Sequence, residues 1–142
     1  MQSQMALPER DARLKRGSYK VETTDWPLVV ISAEGDITPA ELERHLVEYR
    51  SVLDRDMPCA IVFDASKVGK IDAYTRRRYT EFMQQNNDDF RRLCRGIGFV
   101  INSSIVRGAL TAVLWMVDFP FAYKIFATSD EAAAWARRQL WR

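Results

Sequence analysis

A short, unbroken apolar run, Cys59-Ala-Ile-Val-Phe63, lies between two segments of helical periodicity. A strand that is apolar on both sides of its pleat must be covered on both faces, as the central strands of parallel α/β sheets are. Asp64 is expected to end it. Upstream, Thr38-Pro39-Ala40-Glu41 combines an N-cap, a proline at the first helical position and a capping-box glutamate. The helix that follows sets Leu42, Leu46, Tyr49, Val52 and Leu53 in one stripe, turns Glu43, Glu48 and Arg50 to water, and closes at Met57-Pro58. Downstream, a connection from Ala65 to Ile71 leads to Asp72 as N-cap of one long helix buried through Tyr79, Phe82, Met83, Phe90 and Leu93.

The two ends of the chain continue the alternation. Tyr19, Val21 and Thr23 alternate with Lys20 and Glu22, and Asp25-Trp26-Pro27 turns the chain into Leu28 to Ala33, which reads as an opening hairpin. Gly96 to Ile101 is a further strand, and Asn102-Ser103-Ser104 offers caps for a helix from Ile105 to Val117 that Phe119-Pro120 breaks. A strand from Phe121 to Phe126 and a second capping box, Thr128-Ser-Asp-Glu131, introduce the last helix, with Arg137, Arg138 and Arg142 near its C-terminal end. The order β β α β α β α β α predicts an α/β fold: a mixed, mainly parallel sheet of about five strands opened by a hairpin, with four helices and right-handed crossovers.

With 142 residues there is room for one domain, read as residues 18–142 behind an N-terminal extension over residues 1–17. Lys plus Arg exceed Asp plus Glu by only 2, so bulk charge gives no reason to expect nucleic acid as a partner. Arg76-Arg77-Arg78 fans around a helix, and Glu81 stands four residues from Arg77, while Asp88 compensates Arg91 and Arg92. Two cysteines, Cys59 and Cys94, and one histidine, His45, favour neither a disulfide scaffold nor a zinc site, and no cofactor or metal is expected. The start lacks a signal-peptide core and no stretch is long enough to span a membrane, so the chain reads as cytoplasmic.

Ile61-Val-Phe-Asp64-Ala-Ser66-Lys-Val68-Gly-Lys-Ile71-Asp72 resembles the strand, Asp-x-Ser turn and second aspartate of STAS domains, especially the SpoIIAA-like bacterial anti-sigma factor antagonists. Phe121 to Phe126 followed by Ser129-Asp130-Glu131-Ala132-Ala133-Ala134-Trp135 is similar to the closing strand and helix of the same family. The resemblance implies a non-catalytic regulatory domain whose partner is a protein, either a regulator or a second copy in a homodimer. The alternative it carries is a small-molecule or lipid-binding module, with Tyr74, Tyr79, Phe82, Trp115 and Phe119 lining an apolar pocket. In phosphorylatable members a serine pair and a glycine follow the second aspartate, whereas Ala73, Tyr74 and Thr75 hold those switch-equivalent positions here. A serine-phosphorylation switch is therefore not expected.

Ligands of parallel sheets bind at the carboxyl ends of strands, which makes Asp64, Ser66, Asp72, Asn102, Ser103 and Ser104 the candidate site. The same residue types are also those that cap helices and fasten turns. His45 reads as a structural histidine at the edge of its helix stripe, without a nucleophile for it to serve. Gly96-Ile-Gly98 lacks the third glycine and the strand-to-helix setting of a dinucleotide loop. On the third helix Val106, Ala109, Leu110, Val113 and Val117 already form a core stripe, so Leu114, Trp115 and Met116 are a candidate partner interface.

Overall fold

The computed structural model describes residues 17–141, so the N-terminal extension, apart from Gly17, and Arg142 lie outside the described residues. Strands β1 (Ser18–Glu22) and β2 (Leu28–Gly35) form the antiparallel hairpin, with a cis Trp26–Pro27 bond in its turn. Helix α1 (Pro39–Leu53), strand β3 (Cys59–Val68), helices α2 (Ala73–Gln85) and α3 (Asn87–Leu93) and strand β4 (Cys94–Val100) follow. Helix α4 (Ser104–Met116), strand β5 (Ala122–Phe126) and helix α5 (Ser129–Gln139) complete the chain. The strands lie in sequence order in a single five-stranded sheet, and β2 to β5 run parallel.

Strand order explains where the helices go. Right-handed crossovers taken always in the same direction along a sheet place every crossover helix on one face. One buried cluster accordingly joins Leu42 and Leu46 of α1, Phe82 of α2, Phe90 of α3 and Val106 of α4 to Ile31, Ile61 and Ile97 of the sheet. Helix α5 leaves the last strand and covers the opposite face alone, packing Ala132 and Ala136 on Leu28, Ala60, Val62 and Val100. Helix α4 packs chiefly against α2 and only sparsely on the sheet. Among the described residues no helix is long and apolar enough to cross a membrane.

Several boundaries and pairings differ from the sequence reading. There are five helices instead of four, because the long helix expected after Asp72 divides at Asn86. The Asn86 side-chain amide joins its own backbone N–H in donating to the Phe82 carbonyl, at 2.8 and 3.0 Å, and its side-chain oxygen accepts from Arg50 of α1 at 2.6 Å. Asp64 ends the pairing of β3 with β4 but not the strand, which continues beside β2 as far as Val68. Helix α1 ends at Leu53, short of Met57-Pro58. Glu43, expected to face water, is held at 2.6 and 2.9 Å by the Arg78 guanidinium of α2. Glu81 pairs with that same arginine at 2.9 Å instead of with Arg77.

Candidate functional site

A cavity of about 110 Å³ lies between the sheet, α2 and α4. Its sheet side is Phe63 and Ala65 of β3 with Ile97 and Phe99 of β4. Thr75, Tyr79 and Met83 of α2 form one wall, and Val106, Ala109, Leu110 and Val113 of α4 form another. The cavity lies where α4 packs against α2 above the strands. Phe119, which stacks on Phe121 at 4.9 Å and on Phe99 at 6.1 Å, closes the side toward β5.

Behind the aromatic wall sits His45. It is 1% exposed, stacks on Tyr19 at 3.8 Å with 6° between the ring planes, and is surrounded by Tyr49, Phe63 and Tyr79. All four of these rings line the cavity. Among the described residues neither imidazole nitrogen finds a hydrogen-bond partner, and burial pushes the His45 pKa down to about 3. The side chain is neutral near pH 7 and belongs to the core, deeper than its place at a stripe edge implied.

The strand-end residues do not converge on one point. Period-two alternation sends Phe63 and Ala65 to the cavity side of β3 and Asp64 toward α5. There the Asp64 carboxylate accepts from the Ser66 N–H at 2.9 Å, the Ser66 hydroxyl at 2.6 Å and the Ser129 hydroxyl at 2.7 Å. Burial pushes its pKa up, but these hydrogen bonds and nearby Lys67 together hold it below the ordinary value. Asp64→Asn keeps the shape but loses charge-assisted bonds, and should lower stability by about 1–2 kcal/mol in chemical denaturation. A larger polar hollow of about 330 Å³ beside Asp64 carries mixed charge from Lys20, Glu34 and Lys67.

Asp72 caps α2 by accepting from the Thr75 N–H at 2.8 Å, and Ser103 caps α4 by accepting from Ile105 and Val106 at 3.2 and 3.3 Å. Asn102 and Ser104 flank that cap and are exposed. At the switch-equivalent positions Ala73 is exposed, the Tyr74 hydroxyl donates to Glu43 at 2.9 Å, and Thr75 is 7% exposed. Of the five aromatic residues expected around a pocket, Tyr79 and Phe119 line the cavity. Tyr74 is turned to Glu43, Phe82 packs on Tyr49 and Phe90, and Trp115 is 83% exposed. Met116 beside it is 65% exposed and Leu114 is half-buried.

Cys59 and Cys94 open β3 and β4 as register partners, both buried, both free thiols. Burial pushes the Cys59 pKa up to about 11, which leaves it a protonated, unreactive thiol near pH 7. Among the described residues no cluster of histidine, cysteine and carboxylate is placed to hold a metal.

The model of the family described as SpoIIAA-like matches residues 28–137. Among solved structures, an uncharacterized protein of the DUF3478 family with a SpoIIAA-like fold, from Shewanella loihica PV-4, is 13% identical with a TM-score of 0.63, over 84% of this chain and 93% of that one. An anti-sigma factor antagonist from Mycobacterium paratuberculosis is 20% identical with a TM-score of 0.59, over 85% of this chain and 94% of that one. At these identities the two structures establish a shared fold. No curated protein matches the sequence.

Proposed function

The chain belongs to the SpoIIAA-like family, and from that premise we propose that it is a non-catalytic binding domain that takes the apolar part of a small ligand into the cavity beneath α4. The observation that carries this reading is the cavity itself, about 110 Å³ and lined almost wholly by apolar side chains. An engineered cavity of about 150 Å³ holds the six carbons of a benzene ring, so this one of about 110 Å³ accommodates on the order of four carbon atoms, the far half of an octyl tail. The test is a titration with 1-octanol followed by amide and methyl NMR shifts. Saturable shifts confined to α2, α4 and the cavity side of β3 and β4 are expected, and Ala109→Trp, which fills the space, should abolish them. Absence of saturable shifts in the unmodified protein overturns the reading, as does unchanged binding by a folded Ala109→Trp variant.

A second reading, a protein contact made by α4, is favoured by the exposure of Trp115 and Met116 at the end of that helix and by the anti-sigma factor antagonist among the structural neighbours. A cytoplasmic regulatory role fits it. Such a role would not use a serine switch, since the residues after Asp72 are Ala73, Tyr74 and Thr75. Trp115→Ala should change monomer stability by less than about 0.5 kcal/mol, as exposed positions do. If Trp115 anchors a partner or a second copy, the same variant should weaken association roughly tenfold or more in sedimentation. Unaltered association removes Trp115 from any interface.

A further inference from the structure

We propose that the ligand is an amphipathic anion, a single aliphatic chain ending in a carboxylate or phosphate, whose tail fills the cavity and whose head meets Arg76 and Lys70. This rests on the cavity being a ligand site and adds the chemistry of its mouth. Of all the residues that line the cavity, Lys70 and Arg76 are the charged ones, and both are cations. They stand together where β3 hands over to α2: Lys70 in the connection, Arg76 in the first turns of the helix.

The two cations differ from three nearby arginines in what they lack, a lack they share with Lys67 and Arg77, which do not line the cavity. Arg78 is taken by Glu43 and Glu81, Arg50 by Asp54 and Asp89, and Arg92 by Asp56 and Asp89. Among the described residues neither Lys70 nor Arg76 has a carboxylate within ion-pair distance. Two acids stand near them, both engaged by backbone: Asp36, far off in sequence, accepts from the Lys70 N–H at 2.9 Å, and Asp72, whose charge also reaches Arg76, accepts from the Thr75 N–H at 2.8 Å. Arg76 is half-buried and uses Nη1 to bind the Ile71 carbonyl at 3.2 Å. That bond lays the guanidinium along the loop bordering the cavity and leaves its other donors for an oxyanion, which the planar fork receives in bidentate fashion.

The inner end of the cavity is an aromatic cage around a histidine that burial keeps neutral, so a charged head is excluded from it and held at the mouth. The space admits one chain, not two. An anionic single-chain amphiphile is the ligand class that satisfies both ends.

The experiment compares 1-octanol, octanoate and octyl phosphate, which share a tail, by NMR titration at low ionic strength and pH 7.5. Partition into a purely apolar site favours the alcohol, so a reversed order reports the cationic mouth. At least one of the two anions is expected to bind about fivefold or more tightly than octanol, and which anion prevails identifies the head group. The preference should shrink at high salt. Arg76→Gln and Lys70→Gln, singly and together, should bring the anions to or below the octanol affinity measured on the same variant. Octanol binding as tightly as both anions overturns this proposal and leaves the apolar site standing. Failure of all three ligands to bind overturns the site and this proposal together.

Discussion

Between pH 7 and pH 5 the protein is expected to lose about 2 kcal/mol of stability through a single side chain, His45. In the unfolded chain its imidazole titrates near the ordinary value of 6.5, whereas in the folded protein burial holds it at about 3. Across that interval the unfolded state binds a proton that the folded state does not, so stability falls as pH falls. The contribution is complete above about pH 6.5 and lost progressively toward pH 3, at about 1.36 kcal/mol for each pH unit. Toward pH 4 and below, the unfolded chain also takes up protons on carboxylates that native hydrogen bonds keep ionised, Asp64 and Asp72 among them, and this adds a further loss. The informative window is therefore pH 5–7. His45→Phe keeps a flat ring against Tyr19 and removes the proton site, so its stability should vary by less than about 0.5 kcal/mol over the window. Chemical denaturation of both proteins at several pH values checks this. Parallel curves for the two would contradict the buried, unpartnered imidazole.

Gly98→Val is expected to cost about 3 kcal/mol or more, because it overfills a helix–sheet contact that has no give. A Cβ at this position of β4 would lie 3.1 Å from the Ala132 carbonyl oxygen and 3.2 Å from the Ala132 Cβ, so the obstacle includes the backbone of α5. Since α5 alone covers its face of the sheet, the helix has nowhere to move without uncovering Ala60, Val62 and Val100. Gly96 supplies the internal comparison. There an added Cβ meets the side chains of Gln139 at 3.0 Å and Trp135 at 3.2 Å and the Ala122 carbonyl oxygen at 3.3 Å. The two closest neighbours are side chains that must shift, and the smaller Gly96→Ala change should cost about 1 kcal/mol. Equal stabilities for Gly98→Val and the unmodified protein in urea would show that α5 is not docked as described.

The pair of glycines illustrates what the sequence makes legible. Their spacing excludes a dinucleotide loop, but only the approach of α5 reveals that Gly98 serves helix–sheet packing. Local signals held where they act locally: the Thr38 and Thr128 hydroxyls accept from the Glu41 and Glu131 N–H groups at 3.2 and 3.3 Å, as the capping boxes imply. The hairpin and the parallel order of the remaining strands follow from short strands joined by helices. The division at Asn86 was not legible, since it is stabilised by Arg50, 36 residues away. The cavity was not legible either. Val106, Leu110 and Val113 form an ordinary apolar stripe in sequence, and nothing in their spacing tells whether α4 settles onto the sheet or leans on α2. Attention to polar strand ends pointed to Asp64 and Ser66, yet alternation already placed Phe63 and Ala65 on the other side of β3, where the cavity lies.

The central claim, that the space beneath α4 receives the tail of a ligand, is tested most directly by intermolecular nuclear Overhauser effects from the terminal methyl of bound octanoate. Contacts to the Leu110 and Val113 methyls and the Phe99 ring are the predicted result. Contacts confined to Trp115 and Met116 on the outer surface of α4 would contradict it.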